Sequence, residues 1–321
     1  MRGAFKSINT IGAYDQAPKT LHIELIQSQM ISNSLIVGVD HESYRVEIAN
    51  YLDEIKKSVS EVADREFIYF IVTRPRVRIF KRPKFSFITK RLILPIEIGR
   101  TRRKIKIKKH IYFGSNGHPT TCPLSHTGTT VSFWDGETSR GIPIHDLLLR
   151  ESINVAGPSN VRYVGRTNNP ARRVIDGNHR GLSDTLTLAA ENNDDVFIFS
   201  NIFKAVYSAS IHDAGLHFRA SNALTDYVDQ KFEAELIEKI FILYFSPITQ
   251  YQQKEKDTSS LKKMMATLRN KNNVHLISVS FEIDSESEYY HMFSENIAPR
   301  AGHYFTCWLD EAENINMTTK L

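Results

Sequence analysis

Few stretches constrain this chain as tightly as Val161-Arg162-Tyr163-Val164-Gly165-Arg166-Thr167-Asn168-Asn169-Pro170-Ala171-Arg172-Arg173. Val161, Tyr163 and Val164 favour a pleated, half-buried backbone. Gly165 is expected to end the strand and lets the backbone approach a neighbour closely. Asn168 or Asn169 can cap a helix, and Pro170 suits a first helical turn, where a missing N–H costs nothing. A strand that turns abruptly into a helix follows, with Arg166, Thr167, Arg172 and Arg173 at its mouth. Guanidiniums beside a helix N-terminus make a seat for phosphate.

The helix near residues 226–245 carries a second constraint. Phe232, Leu236, Ile237, Ile240 and Tyr244 fall in one sector of a helical wheel, and Glu233 falls in the middle of that sector. Glu235, Glu238 and Lys239 lie on the wet side. A carboxylate on a buried face requires a charge, a donor or a metal.

At these two places the chain resembles the GIY-YIG nuclease family over about residues 150–254. Tyr163-Val164-Gly165 stands at the second signature triplet and Arg173 at the essential arginine. Glu233-Ala234-Glu235-Leu236-Ile237, followed by Ser246-Pro247-Ile248-Thr249-Gln250, resembles the terminal element. The resemblance implies an α+β module, a small three-stranded sheet flanked by helices, and a divalent cation on Glu233. It also departs from the pattern. Asn154 stands about where the first-triplet tyrosine belongs, Gly177 replaces a histidine, and Gln250 takes the place of the terminal asparagine. Glu233 lies about one helical turn farther from that position than is usual.

Charge is unevenly spread. The chain of 321 residues carries a net +5, yet between Arg74 and Lys109 fifteen basic residues face one acid, Glu97. Arg76-Val77-Arg78-Ile79-Phe80, Lys84-Phe85-Ser86-Phe87 and Lys104-Ile105-Lys106-Ile107-Lys108 alternate cation with apolar residue. Each predicts a strand with one buried and one cationic face. Three such strands suit phosphates, with Arg76, Arg78, Arg102, Arg103, Lys104, Lys106 and Lys108 as the contacts.

The length predicts about two domains with a sizeable core. Three segments are expected: a basic β-rich recognition region at 1–149, the nuclease module at 150–254, and an α/β extension at 255–321. Residues 1–40 read as an irregular lead-in, with one short apolar element at Ser34–Gly38 and a helix to follow at Ser43–Ala63. Ile153-Asn154-Val155 reads as a strand returning through Gly157 as a hairpin with Val161, and Gln252–Asp257 as a linker. His118, Cys122 and His126 lack a nearby fourth ligand, so a structural zinc site is not expected. Two distant cysteines, no signal-like run and no membrane-length apolar stretch point to the cytoplasm.

These readings combine into a metal-dependent endonuclease on duplex DNA, with restriction or phage defence implied by resemblance alone and a homo-oligomer compatible with it. Mg²⁺ or Mn²⁺ suits hard oxygen ligands. Arg173, with Arg166 or Arg172, would neutralise charge on the phosphoryl oxygens, and Gly165 and Gln250 would help position the phosphate. For proton transfer, Tyr163 ranks first and His179 second; Tyr112 would require a long insertion into the hairpin. The competing class is a nucleic-acid-binding protein whose module has lost catalysis.

Overall fold

The computed structural model describes residues 2–32, 50, 53, 54, 57, 66–86, 88, 91–108, 128–134, 139–170, 180–211 and 215–319. The helix expected at 43–63 falls mostly outside these residues. So do Ser34–Gly38, Tyr112, the His118-Cys122-His126 spacing, and Arg172, Arg173 and His179.

One large mixed sheet organises the described chain. Its core is β1 (Lys19–Ser32), β2 (Phe67–Pro75), β9 (Ser159–Thr167) and β10 (Asp194–Ile211). It is extended by β11 (Leu216–Ser221), β12 (Val274–Glu282), β13 (Met292–Phe293), β14 (Gly302–Leu309) and β15 (Ile315–Thr319). The spatial order is β13-β9-β2-β10-β1-β12-β14-β15, with β11 added to β10. All three segments expected from the sequence contribute strands to it. The pairs β1/β12 and β9/β13 are parallel and the remaining ones antiparallel.

Three expectations fail here. The lead-in contains β1, a fourteen-residue strand at the middle of the sheet. A bulge between Leu25 and Gln27 hides it. Leu21 and Ile23 point to one face, while Ile31, beyond the bulge, points to the other. The 153–161 hairpin is absent: Asn154 instead bonds the backbone of Glu286 and Glu288. Gln252–Asp257 is helical, ending a 3₁₀ turn (Ile248–Gln253) and opening a long helix.

Helices cover both faces of β2 and β9. On one face lies α3 (Arg180–Asn192), whose Leu182 and Ala189 pack on Tyr69, Ile71, Val196 and Ile198. The other face holds α5 (Gln230–Phe245) and α6 (Lys254–Asn272). There Phe70 meets Phe241, Phe245 and Phe281 edge-on, at centroid distances of 5.2, 5.7 and 5.4 Å. Burying each such ring stabilises the fold by roughly 1.5–3 kcal/mol. Between β2 and β9 the chain builds a basic arm. Its sheet is β3 (Val77–Ile79), β4 (Lys84–Ser86), β5 (Arg91–Ile98) and β6 (Thr101–Lys108). The pair β7 (Thr130–Trp134) and β8 (Ser139–Pro143) and the helix α2 (Ile144–Arg150) complete it. No helix of the described residues is long and apolar enough to cross a membrane.

Candidate active site

The strand predicted around Tyr163 is β9, and its partner is β2, from far upstream in the sequence. A bulge at Arg162 decides what this strand presents. Val161 pairs with Val72 and Tyr163 with Ile71, so Val161 enters the α5-side core while Tyr163 turns to the α3 side. Tyr163 stacks on Tyr69, with ring centroids 5.9 Å apart and planes at 24°. Gly165 lies opposite Tyr69 in register. A methyl group on Gly165 would lie 2.5 Å from the Tyr69 hydroxyl oxygen and 2.7 Å from the Tyr163 ring. A methyl on Gly181, in the first turn of α3, would reach within 2.3 Å of the same ring. Both glycines are therefore required by the tyrosine pair and not by backbone freedom. Tyr69 and Gly181 escaped sequence reasoning; the aromatic run Phe67-Ile68-Tyr69-Phe70 was the one available signal.

Gln250 closes the outer edge of β9. Its Oε1 accepts from the Val164 N–H at 2.9 Å and its Nε2 donates to the Val164 carbonyl at 2.8 Å, so the side-chain amide replaces a missing strand. Thr249 donates to the Arg162 carbonyl beside it. We expect Gln250→Ala to lower stability by about 1–3 kcal/mol, measured by urea unfolding, because two buried backbone groups lose their partners.

Arg166, at the end of β9, points to the α5 side. Its guanidinium meets Glu66 at 2.9 Å, Glu238 at 3.2 Å and Glu235 at 3.8 Å. Lys239 bridges Glu235 at 3.7 Å and Asp257 at 3.0 Å. Burial pushes the Glu238 carboxyl up to about 7, against the pull of Arg166 and Lys239.

Glu233 is buried, as its helical face predicts. It accepts a hydrogen bond from the Asn222 amide, and the Arg2 guanidinium lies 3.6 Å away. It shares a small pocket with Glu66, Ile68 and Phe203. That pocket is on the α5 face, so the sheet separates Glu233 from the Tyr69–Tyr163 pair. The structure thus brings Tyr163, Gly165 and Gln250 together and leaves Glu233 elsewhere. Among the described residues no three His, Cys, Asp or Glu side chains converge as a metal site.

The cationic strands divide. Arg103, Lys104 and Lys106 are exposed along β6, where Lys108 is the last residue. Arg102 is exposed as well, pairs with Glu97 at 2.9 Å and stacks over Phe80. Arg76 donates to the Asn193 side chain. Arg78 is engaged inside, forming two hydrogen bonds to Asp195 at 2.7 and 2.8 Å. The same carboxylate accepts from the Val77 N–H and bonds the buried His145, whose other ring nitrogen bonds the Tyr289 hydroxyl.

Set against known proteins, the chain matches no family model, no curated protein and no solved structure.

Proposed function

We propose that this protein is a divalent-metal-dependent endonuclease of GIY-YIG type, cutting duplex DNA gripped by its basic arm. The stacked pair Tyr69–Tyr163, closed by Gly165 and Gly181 and edged by Gln250, carries the reading. Tyr69 takes the part of the first-triplet tyrosine, with the arm inserted between the two signature strands. On this reading β9, β2 and β10 are the three strands of the nuclease module. Two phenols fixed by packing can orient an attacking water and pass on its proton. Arg173, just past Pro170, supplies the charge for the phosphoryl oxygens. Restriction or phage defence as the setting rests on the family resemblance alone.

A cation would sit on the α5 face, across the sheet from the tyrosine pair, where Glu233, Glu235 and Glu238 are the candidate carboxylates. Glu233 already has an amide donor and a guanidinium. Around Arg166 stand Glu66, Glu235 and Glu238, with Lys239 and Asp257 beyond, an excess of negative charge, although among the described residues no three of these carboxylates converge as a metal site. When bound, the cation polarises the scissile phosphate and stabilises the leaving oxygen. We expect Glu238→Gln to raise the Mg²⁺ requirement roughly tenfold, Glu235 and Glu66 still being present. Glu233→Gln should cleave normally once folded. A dead but folded Glu233→Gln enzyme would return the cation to Glu233.

The ring of carboxylates on Arg166 also favours a second reading, a nucleic-acid-binding protein without catalysis. Plasmid cleavage with Mg²⁺ and its loss with chelator decide between the two. No cutting under any divalent cation, with DNA binding intact, would establish the second.

A further inference from the structure

The sheet of the basic arm has a dry face and a wet one, and strand register decides which cations share the wet face. Directly opposed residues of neighbouring strands point to the same side. Leu92, Leu94, Ile96 and Ile105 line the dry side and are buried in the core. The intervening residues of β5, Arg91, Ile93, Pro95 and Glu97, face outward. Ile93 has Lys106 on one flank and Lys84 on the other, while Lys104 stands beside Pro95 and Arg102 beside Glu97. Arg103 pairs with Ile96 and so turns to the opposite side, where it is exposed at the edge of the sheet.

Most of the arm's other charges are already engaged. Glu97, the acid of this face, is taken by Arg102 at 2.9 Å, and Arg102 also lies over the Phe80 ring at 5.1 Å. Arg78 shares the face by register but is drawn off to Asp195, and Arg76 donates to Asn193. Lys84, Arg91, Lys104 and Lys106 are exposed, and among the described residues no carboxylate is left to meet them. Like charges gathered on one face repel one another and draw in a polyanion. The apolar residues in the same rows do not project, Ile93 being half-buried and Pro95 buried. These rows therefore offer charge, and no apolar hold for acyl chains or for a hydrophobic protein surface.

We propose that this outer face is the surface on which the arm meets duplex DNA, with Lys84, Arg91, Lys104 and Lys106 each against a backbone phosphate. Arg76, Arg78 and Arg103 take no part. A duplex carries one charge for about every 1.7 Å of its axis, while alternate residues of a strand lie about 6.7 Å apart, so phosphates are dense enough to serve each cation. Contacts of this kind position the duplex without reading its bases, so binding through the face is independent of sequence. The proposal deepens the reading of the arm as a DNA grip and rests on it for the choice of DNA; it does not depend on catalysis.

The test uses the full chain with chelator, to prevent cutting, and a fluorescein-labelled duplex, with affinity read by anisotropy between about 50 and 200 mM salt. Four phosphate contacts give a salt slope of about 3.6, so wild type should lose at least roughly 150-fold in affinity over that range. Lys104→Gln/Lys106→Gln and Lys84→Gln/Arg91→Gln should each flatten the slope by about 1.8, while Arg103→Gln keeps the wild-type slope. All of these are exposed positions, where substitution leaves stability within about 0.5 kcal/mol and the fold intact. Flattening by Arg103→Gln, or an unchanged slope in either double variant, would overturn the outer face while leaving the arm as a DNA grip. No duplex binding by wild type would overturn both, and binding to phosphatidylserine vesicles in its place would give the face to lipid. Plasmid cleavage with Mg²⁺ by the same preparations reports separately on the nuclease reading.

Discussion

Asp195→Ala should cost about 3–5 kcal/mol of stability, the range for removing one partner from a buried, multiply bonded charge cluster. Four donor contacts converge on this carboxylate: the Val77 N–H, two from Arg78 and one from His145. Its removal strands a guanidinium that is only 26% exposed and an imidazole that is 2% exposed. Burial by itself would raise the Asp195 pKa, but the hydrogen bonds and charges of His145 and Arg78 outweigh it and hold the carboxyl well below the usual range. A depressed folded pKa means the contribution is present above the unfolded value, near 4, and fades as pH falls toward the folded one. Urea midpoints should thus fall below about pH 4 in wild type, and that component should be missing in Asp195→Ala. An unchanged midpoint at neutral pH would show that the arm does not depend on this joint.

What the sequence disclosed follows from what is local. The strand around Tyr163, the helix holding Glu233 and the alternating strands of the arm are each written within about twenty residues and were legible, although the strand runs on through Gly165 to Thr167 instead of stopping at the glycine. The partner of β9 was not, because Tyr69 lies on the far side of the whole arm and strand pairing leaves no mark at such a separation. β1 was missed for a different reason. Its bulge at Ile26 reverses the alternation, so neither half is long enough to read as a strand by period. Glu233 was correctly placed on a buried face, but its partners Asn222 and Arg2 come from distant parts of the chain. Glu238 illustrates the converse: the helical wheel puts it in water, and the end of β9 covers it. A wheel describes a helix alone and knows nothing of what the fold lays over its outer side.

Tyr69→Phe and Tyr163→Phe are the variants that decide the chemistry. Each keeps its ring, and with it the stack, the contact with Gly165 or Gly181 and the packing on Ile71 and Leu182. Only an oxygen is removed. If the two phenols orient and deprotonate the attacking water, each change should lower the single-turnover cleavage rate by about a hundredfold or more with DNA affinity unchanged. Because they act on one proton, the double variant should be little worse than the slower single one, which separates a shared role from two independent ones. Gly165→Ala adds an independent check. Its methyl group would enter the space of the Tyr69 hydroxyl, so the pair must move, at a cost of about 1–3 kcal/mol in stability and with cleavage lost to the same degree as in the phenylalanine variants. If both phenylalanine variants cut at the wild-type rate, the hydroxyls are not in the reaction. Tyr69 and Tyr163 would then be strand aromatics that pack α3 against the sheet, and His179 would inherit the proton-transfer role.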